Sequence, residues 1–118
     1  MAPLPDSLPA ALATRLTARE LETLTDRLRG VELQLEAVYH KAGHHMTGDE
    51  IHTLQEIDVV VQSTAALAQY IGQLAEGLPK DLSIPVGPAL DRIPLADLAG
   101  RLRGGETLPG LPERTTLF

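Results

Sequence analysis

The feature that most constrains the fold is a run of apolar residues at alternating spacings of three and four. Six residues occupy this pattern without a break: Leu21, Leu24, Leu28, Val31, Leu35 and Val38. Such spacing places their side chains along one side of an α-helix, as in the seam of a coiled coil. It predicts a long helix from about Ala18 to Ala42 that must bury this side against another helix.

Two capping boxes predict where helices begin. Thr17 and Glu20 have the spacing at which a threonine caps a helix and a glutamate reaches back to the cap. Thr47 and Glu50 repeat that spacing. We therefore expect the first helix to start at Thr17, and a second helix to run from about Gly48 to Glu76.

The connection between these helices is short. Gly43 is well placed to end the first helix, and only His44, His45 and Met46 separate it from the second cap. A connection of this length forces the two helices into an antiparallel hairpin. The predicted fold class is all-α: an antiparallel helical hairpin with short flanking helices, completed to a four-helix bundle by homodimerisation.

The dimer prediction comes from two apolar rows on the second helix. The bulky row is Ile57, Val60, Thr64, Leu67, Ile71 and Leu74. The small row, about 100° around the helix, is Val61, Ala65, Ala68, Gly72 and Ala75. We expect the first helix to cover the bulky row and a second copy of the chain to contact the small row as the dimer interface. Alternatively, the C-terminal segment covers the small row with Leu95, Leu98 and Leu102.

Proline and glycine divide the rest of the chain. Residues 1–16 form a Pro-rich arm with a possible short helix begun by Ser7, and residues 17–77 form the hairpin. Residues 78–104 hold one or two short helices, the surer one from Pro94 to Gly104, and residues 105–118 form an extended or mobile tail. Strand alternation persists nowhere, so we expect no sheet.

Charge and composition argue against several classes of protein. The net charge of −6 disfavours nucleic-acid binding, which needs clustered Lys and Arg. The uncharged run from Val59 to Ala75 is shorter than the ~20 residues of a membrane span and contains several polar residues. The start of the chain has no signal-peptide pattern, and cysteine is absent. We expect an acidic cytoplasmic protein that binds neither nucleic acid nor membrane.

All four histidines lie between Val38 and His52, which raises the question of a metal site. His44 and His45 in the turn, with His52 and Asp49 at the start of the second helix, offer imidazole and carboxylate ligands suited to Zn²⁺ or Ni²⁺. The alternative is that these polar residues lie on a solvent-exposed turn and bind no metal. We favour that interpretation and predict no cofactor.

His40 suggests a second alternative. A histidine phosphotransfer domain exposes one histidine on a bundle helix, typically in a His-x-x-Lys-Gly pattern; His40, Lys41 and Gly43 supply the same residue types at different spacing. His40 would then be a phosphoacceptor in a relay. The chain has no cysteine nucleophile, Gly-rich phosphate loop or G-x-S-x-G elbow, so we expect no enzyme. The leading prediction is a non-enzymatic interaction or regulatory module that binds itself and another protein.

Overall fold

Two long antiparallel helices form most of the molecule in the computed structural model, which describes residues 6–41 and 45–105. The elements in chain order are β1 (Ser7–Pro9), α1 (Ala10–Lys41), α2 (Gly48–Glu76), β2 (Ser83–Pro85), α3 (Gly87–Leu90) and α4 (Ala96–Leu102). The predicted helical hairpin is thereby confirmed. The molecule is elongated, 57 × 32 × 24 Å, because α1 alone is about 48 Å long at 1.5 Å per residue.

The start of α2 is the predicted one. The Thr47 hydroxyl accepts a hydrogen bond of 3.1 Å from the Glu50 backbone N–H. The Glu50 carboxylate in turn accepts one of 2.8 Å from the Thr47 backbone N–H. This capping box satisfies two N–H groups that the first helical turn would otherwise leave without partners. The helix ends at Glu76, with Gly77 as its C-cap.

The predicted start of the first helix is wrong. α1 begins at Ala10, so Thr17 lies inside the helix, where its hydroxyl donates to the Ala13 carbonyl at 2.9 Å. The Glu20 carboxylate does not reach back to a cap but accepts two hydrogen bonds from Arg101, at 2.8 and 3.1 Å. A threonine four residues after a carbonyl bonds to it readily within a helix, so the spacing alone did not identify a cap.

The described residues are mostly helical, as predicted, but they also contain one short pair of strands that was not expected. β1 and β2 pair antiparallel, with Leu8 opposite Ile84, and the Ala10 N–H donates to the Leu82 carbonyl at 2.7 Å where β1 passes into α1. Three-residue strands that contain Pro9 and Pro85 are too short to show alternation. The proposed short helix at Ser7 is replaced by β1.

A small apolar core joins this strand pair to the base of the hairpin, the end where α1 begins and α2 ends. Leu8, Val86 and Leu90 are buried there, and α1 contributes Leu12, Ala13 and Leu16. Leu102 of α4 also packs against this core. We call the strand pair with α3 and α4 the end unit; its helix α4, predicted from Pro94 to Gly104, contacts α1.

Within the part of the chain that the structure describes, no helix is both long enough and apolar enough to cross a membrane. The predicted tail beyond Gly105, the C-terminal stop at Gly43 and the turn residue His44 lie outside the described residues.

Candidate protein-docking face

The seam of the hairpin is formed by small residues. The buried residues of α2 recur every seven positions and are Leu54, Val61, Ala68 and Ala75; Ala18 and Thr25 are buried on α1. The Thr25 hydroxyl lies 2.8 Å from both the Thr64 hydroxyl and the Leu21 carbonyl. The Thr64 hydroxyl donates to the Val61 carbonyl at 3.0 Å. This threonine pair marks the register of the hairpin, because sliding either helix would break the hydrogen bond between the two hydroxyls.

This seam corrects the predicted use of the two α2 rows. Val61, Ala68 and Ala75, assigned to a dimer interface, are only 2–3% exposed within the single chain. Ala65 and Gly72 are half-buried on the flank of the seam. Small side chains let two helix backbones approach closely, and the nearest available helix is α1 of the same chain. The small row therefore belongs to the hairpin.

The bulky row is the one left open. Val60, Leu67 and Leu74 are 44–50% exposed, whereas their neighbours Ile57, Thr64 and Ile71 are half-buried beside the seam. The predicted seam of α1 is divided in the same way. Leu21, Leu28 and Leu35 are half-buried, and Leu24, Val31 and Val38 are exposed.

A groove between the two helices shows how the helix flanks are arranged in space. It has a volume of about 490 Å³, and α1 lines it with Glu22, Thr25, Asp26 and Arg29. From α2 come Gln62, Ala65, Ala66, Ala68 and Gln69. Because these two flanks meet on one side of the seam, the other two flanks must meet on the opposite side. We call the first side the groove side.

The opposite side collects both bulky rows, and we call it the open face. It comprises Leu21, Leu24, Leu28, Val31, Leu35 and Val38 of α1 with Ile57, Val60, Thr64, Leu67, Ile71 and Leu74 of α2. The six more exposed side chains leave roughly 500 Å² of apolar surface open, near the upper end for the largest patch of a monomer. Six of the ten large apolar side chains that the described hairpin residues leave exposed lie on the open face.

The open face carries no ionisable side chain, although the chain has 16 acidic residues. The acidic residues of the groove side include Glu22 and Asp26 in the groove itself. The difference in charge between the two sides comes from α1, because α2 carries no charged residue from Val59 to Ala75.

Two carboxyl groups interact between the helices nearer the turn. Burial raises the pKa of Glu32 above its ordinary value, and the charges of Asp58 and Glu36 raise it further; Arg29 opposes the shift. The Glu32 and Asp58 side chains also share a hydrogen bond. A hydrogen bond between two carboxyl groups needs one proton between them, which agrees with the raised pKa of Glu32.

The histidines do not form a cluster among the described residues. His40 is exposed in the last turn of α1, His45 is exposed before the Thr47 cap, and Nε2 of the exposed His52 lies 3.8 Å from the Glu56 carboxylate. Asp49 is exposed in the first turn of α2. Residues 6–41 and 45–105 contain no group of three His, Cys, Asp or Glu side chains placed to hold a metal ion. Metal binding through the turn and phosphorylation of His40 stay predictions.

The signal for the open face was present in the sequence. Both of its rows follow helical spacing, but the periodicity does not say which row faces which neighbour. The Thr25–Thr64 hydrogen bond identifies the seam, and it becomes visible only when both helices are in place.

Comparison with known proteins identifies the family of this chain but indicates no activity. No curated protein and no solved structure matches this chain. A family model matches residues 6–116, which include the end unit, the hairpin and most of the tail. The chain therefore belongs to the family described as a domain of unknown function, DUF8776.

Proposed function

We propose that this chain is a non-enzymatic protein-interaction module whose open face packs against two apolar helices of a protein partner and completes a four-helix bundle. One observation carries the proposal: the bulky rows of α1 and α2 lie together on one side of the hairpin, and six of their twelve side chains remain 44–59% exposed.

The energetics favour a covered open face. Burying a Val or Leu side chain fully contributes about 1.5–3 kcal/mol relative to leaving it exposed, so covering six half-exposed side chains contributes several kcal/mol. Helices that lay their apolar side against a second pair of helices form the standard packing of a four-helix bundle. The exposed rows have the three-four spacing that such packing uses.

Site-specific photo-crosslinking tests this function. A photoreactive phenylalanine analogue replaces Leu67 on the open face, and the protein is irradiated in cells of its source organism. We expect a discrete covalent adduct with a protein, because position 67 would lie inside the interface.

The matched control carries the same analogue at Leu33. Leu33 is 65% exposed and shares a helix flank with Glu22, Asp26 and Arg29 on the groove side. We expect no discrete adduct from position 33. Absence of an adduct from position 67, or equal adducts from both positions, would refute a docking role for the open face.

A further inference from the structure

We infer that the occupant of the open face is a second copy of this chain, so that two hairpins form the four-helix bundle. This inference rests on the proposed docking role of the open face and names its partner. Three features of the described residues carry it: a seam of small side chains, a face of adequate size without charge, and side chains that form matching layers.

The first feature is the weak seam inside one chain. Its buried positions between residues 18 and 75 include three alanines and a threonine, and no large side chain among the described residues is fully buried. The bulky side chains of both helices instead flank the seam on the open face. A hairpin built in this way buries little of its own apolar surface, so it needs a partner that is present whenever the chain folds. A second copy meets that requirement.

The second feature is the size and charge of the open face. Its six more exposed side chains alone offer roughly 500 Å² per chain, a large part of the ~800 Å² that each partner contributes to a stable interface. Two molecules with a net charge of −6 repel each other, and the repulsion is weaker when the surfaces that meet carry no charge. The open face is such a surface, since its twelve residues include no ionisable group.

The third feature is the arrangement of the open face in layers. The Thr25–Thr64 pair places Leu24 and Leu67 within about 3 Å of the same height along the hairpin, given a rise of 1.5 Å per residue. The same register places Val31 and Val60 within about 3 Å of the same height. Each hairpin therefore presents a leucine layer and a valine layer, and a two-fold axis parallel to the hairpin would stack like layers of two copies.

Sedimentation equilibrium of the purified full chain between about 1 and 100 µM tests this inference. We expect twice the chain mass of 12.7 kDa over most of that range. Leu67→Asp should weaken the dimer more than about 100-fold, because it buries an unpaired carboxylate in the interface. Leu33→Asp, which adds the same charge on the groove side, should leave the dimer mass unchanged.

Because Leu67→Asp also removes a bulky side chain, Leu67→Ala serves as a milder second variant. We expect it to weaken the dimer about 10-fold or more while circular dichroism at high concentration still shows wild-type helix content. A wild-type monomer at 100 µM would overturn the inference. If position 67 still crosslinked to a different protein in cells, the docking function would stand and only the identity of the partner would be wrong. A dimer that Leu67→Asp and Leu33→Asp affect equally would overturn the assignment to the open face.

Discussion

The interaction of Glu32 with Asp58 makes the stability of the hairpin sensitive to pH. The folded-state pKa of Glu32 is raised, so the folded protein holds this proton at pH values where the unfolded chain has released it. The stabilisation is fully present below the unfolded pKa, near the ordinary value of 4.5, and is lost as pH rises through the raised folded pKa.

Replacement of Glu32 by Gln should remove this pH dependence. The amide keeps a hydrogen-bond donor towards Asp58 without adding negative charge, so we expect the variant to be more stable than wild type near neutral pH. The difference should shrink as the pH is lowered below the folded pKa of Glu32. Urea unfolding from about pH 4.5 to pH 8 measures both. A variant that follows the wild-type curve at every pH would show that the pair does not govern this dependence.

The two threonines that share a capping-box spacing have different roles. Thr47 caps α2 through its hydroxyl, so Thr47→Ala should lower the free energy of unfolding by about 1 kcal/mol. Thr17 is exposed inside α1, and its hydroxyl bonds only to a carbonyl of the same helix, so Thr17→Ala should change stability by less than about 0.5 kcal/mol. Chemical denaturation of both variants measures these changes. If Thr17→Ala lowered the free energy of unfolding as much as Thr47→Ala, the result would contradict the start of α1 at Ala10.

At the scale of the element, the helix boundaries that depend on neighbouring residues could be predicted from the sequence. The bounds of α2 follow from the Thr47 cap and from Gly77, both of which act within one helical turn. The start of α1 instead depends on β1, whose partner β2 lies more than 70 positions away in the sequence. The assignment of the two apolar rows of α2 was wrong because it also depends on distant residues. Which row faces α1 is decided by how closely the two helix backbones can approach.

Glycines in two elements provide a matched test of packing. A Cβ at Gly30 in the middle of α1 would contact nothing within 4 Å, so Gly30→Ala should raise stability by about 0.5–1 kcal/mol through helix propensity. A Cβ at Gly87 would lie 2.7 Å from the Asp6 carboxylate oxygen. The Asp6 carbonyl accepts the backbone N–H groups of Val86 and Gly87 at 2.8 and 3.0 Å.

Gly87→Ala should therefore push Asp6 away and lower stability by about 1 kcal/mol. Thermal unfolding of both glycine variants measures the two effects. Opposite signs are expected, and a Gly87→Ala protein as stable as Gly30→Ala would show that the end unit does not hold Asp6 closely.

At the scale of the whole molecule, the end unit holds the base of the hairpin, and the two long helices present the open face. The end unit fixes the base of the hairpin through the Leu8 core and through the paired hydrogen bonds between Arg101 and Glu20. The hairpin extends from that base with acidic residues on its groove side and an uncharged open face. Rigid helices present the open face without the need to order a loop on binding, which lowers the entropy cost of association.

The most direct measurement of whether the open face is covered is thiol labelling of single-cysteine variants, which is clean because the chain has no cysteine of its own. Cysteine replaces Leu24, Val31 or Leu67 on the open face, and Leu33 or Gln62 on the groove side, and the labelling rate is followed as the protein is diluted. We expect the three open-face cysteines to react slowly at high concentration and faster on dilution, while the two groove-side cysteines react at constant rates. Equal, concentration-independent rates at all five positions would show that the open face is not covered.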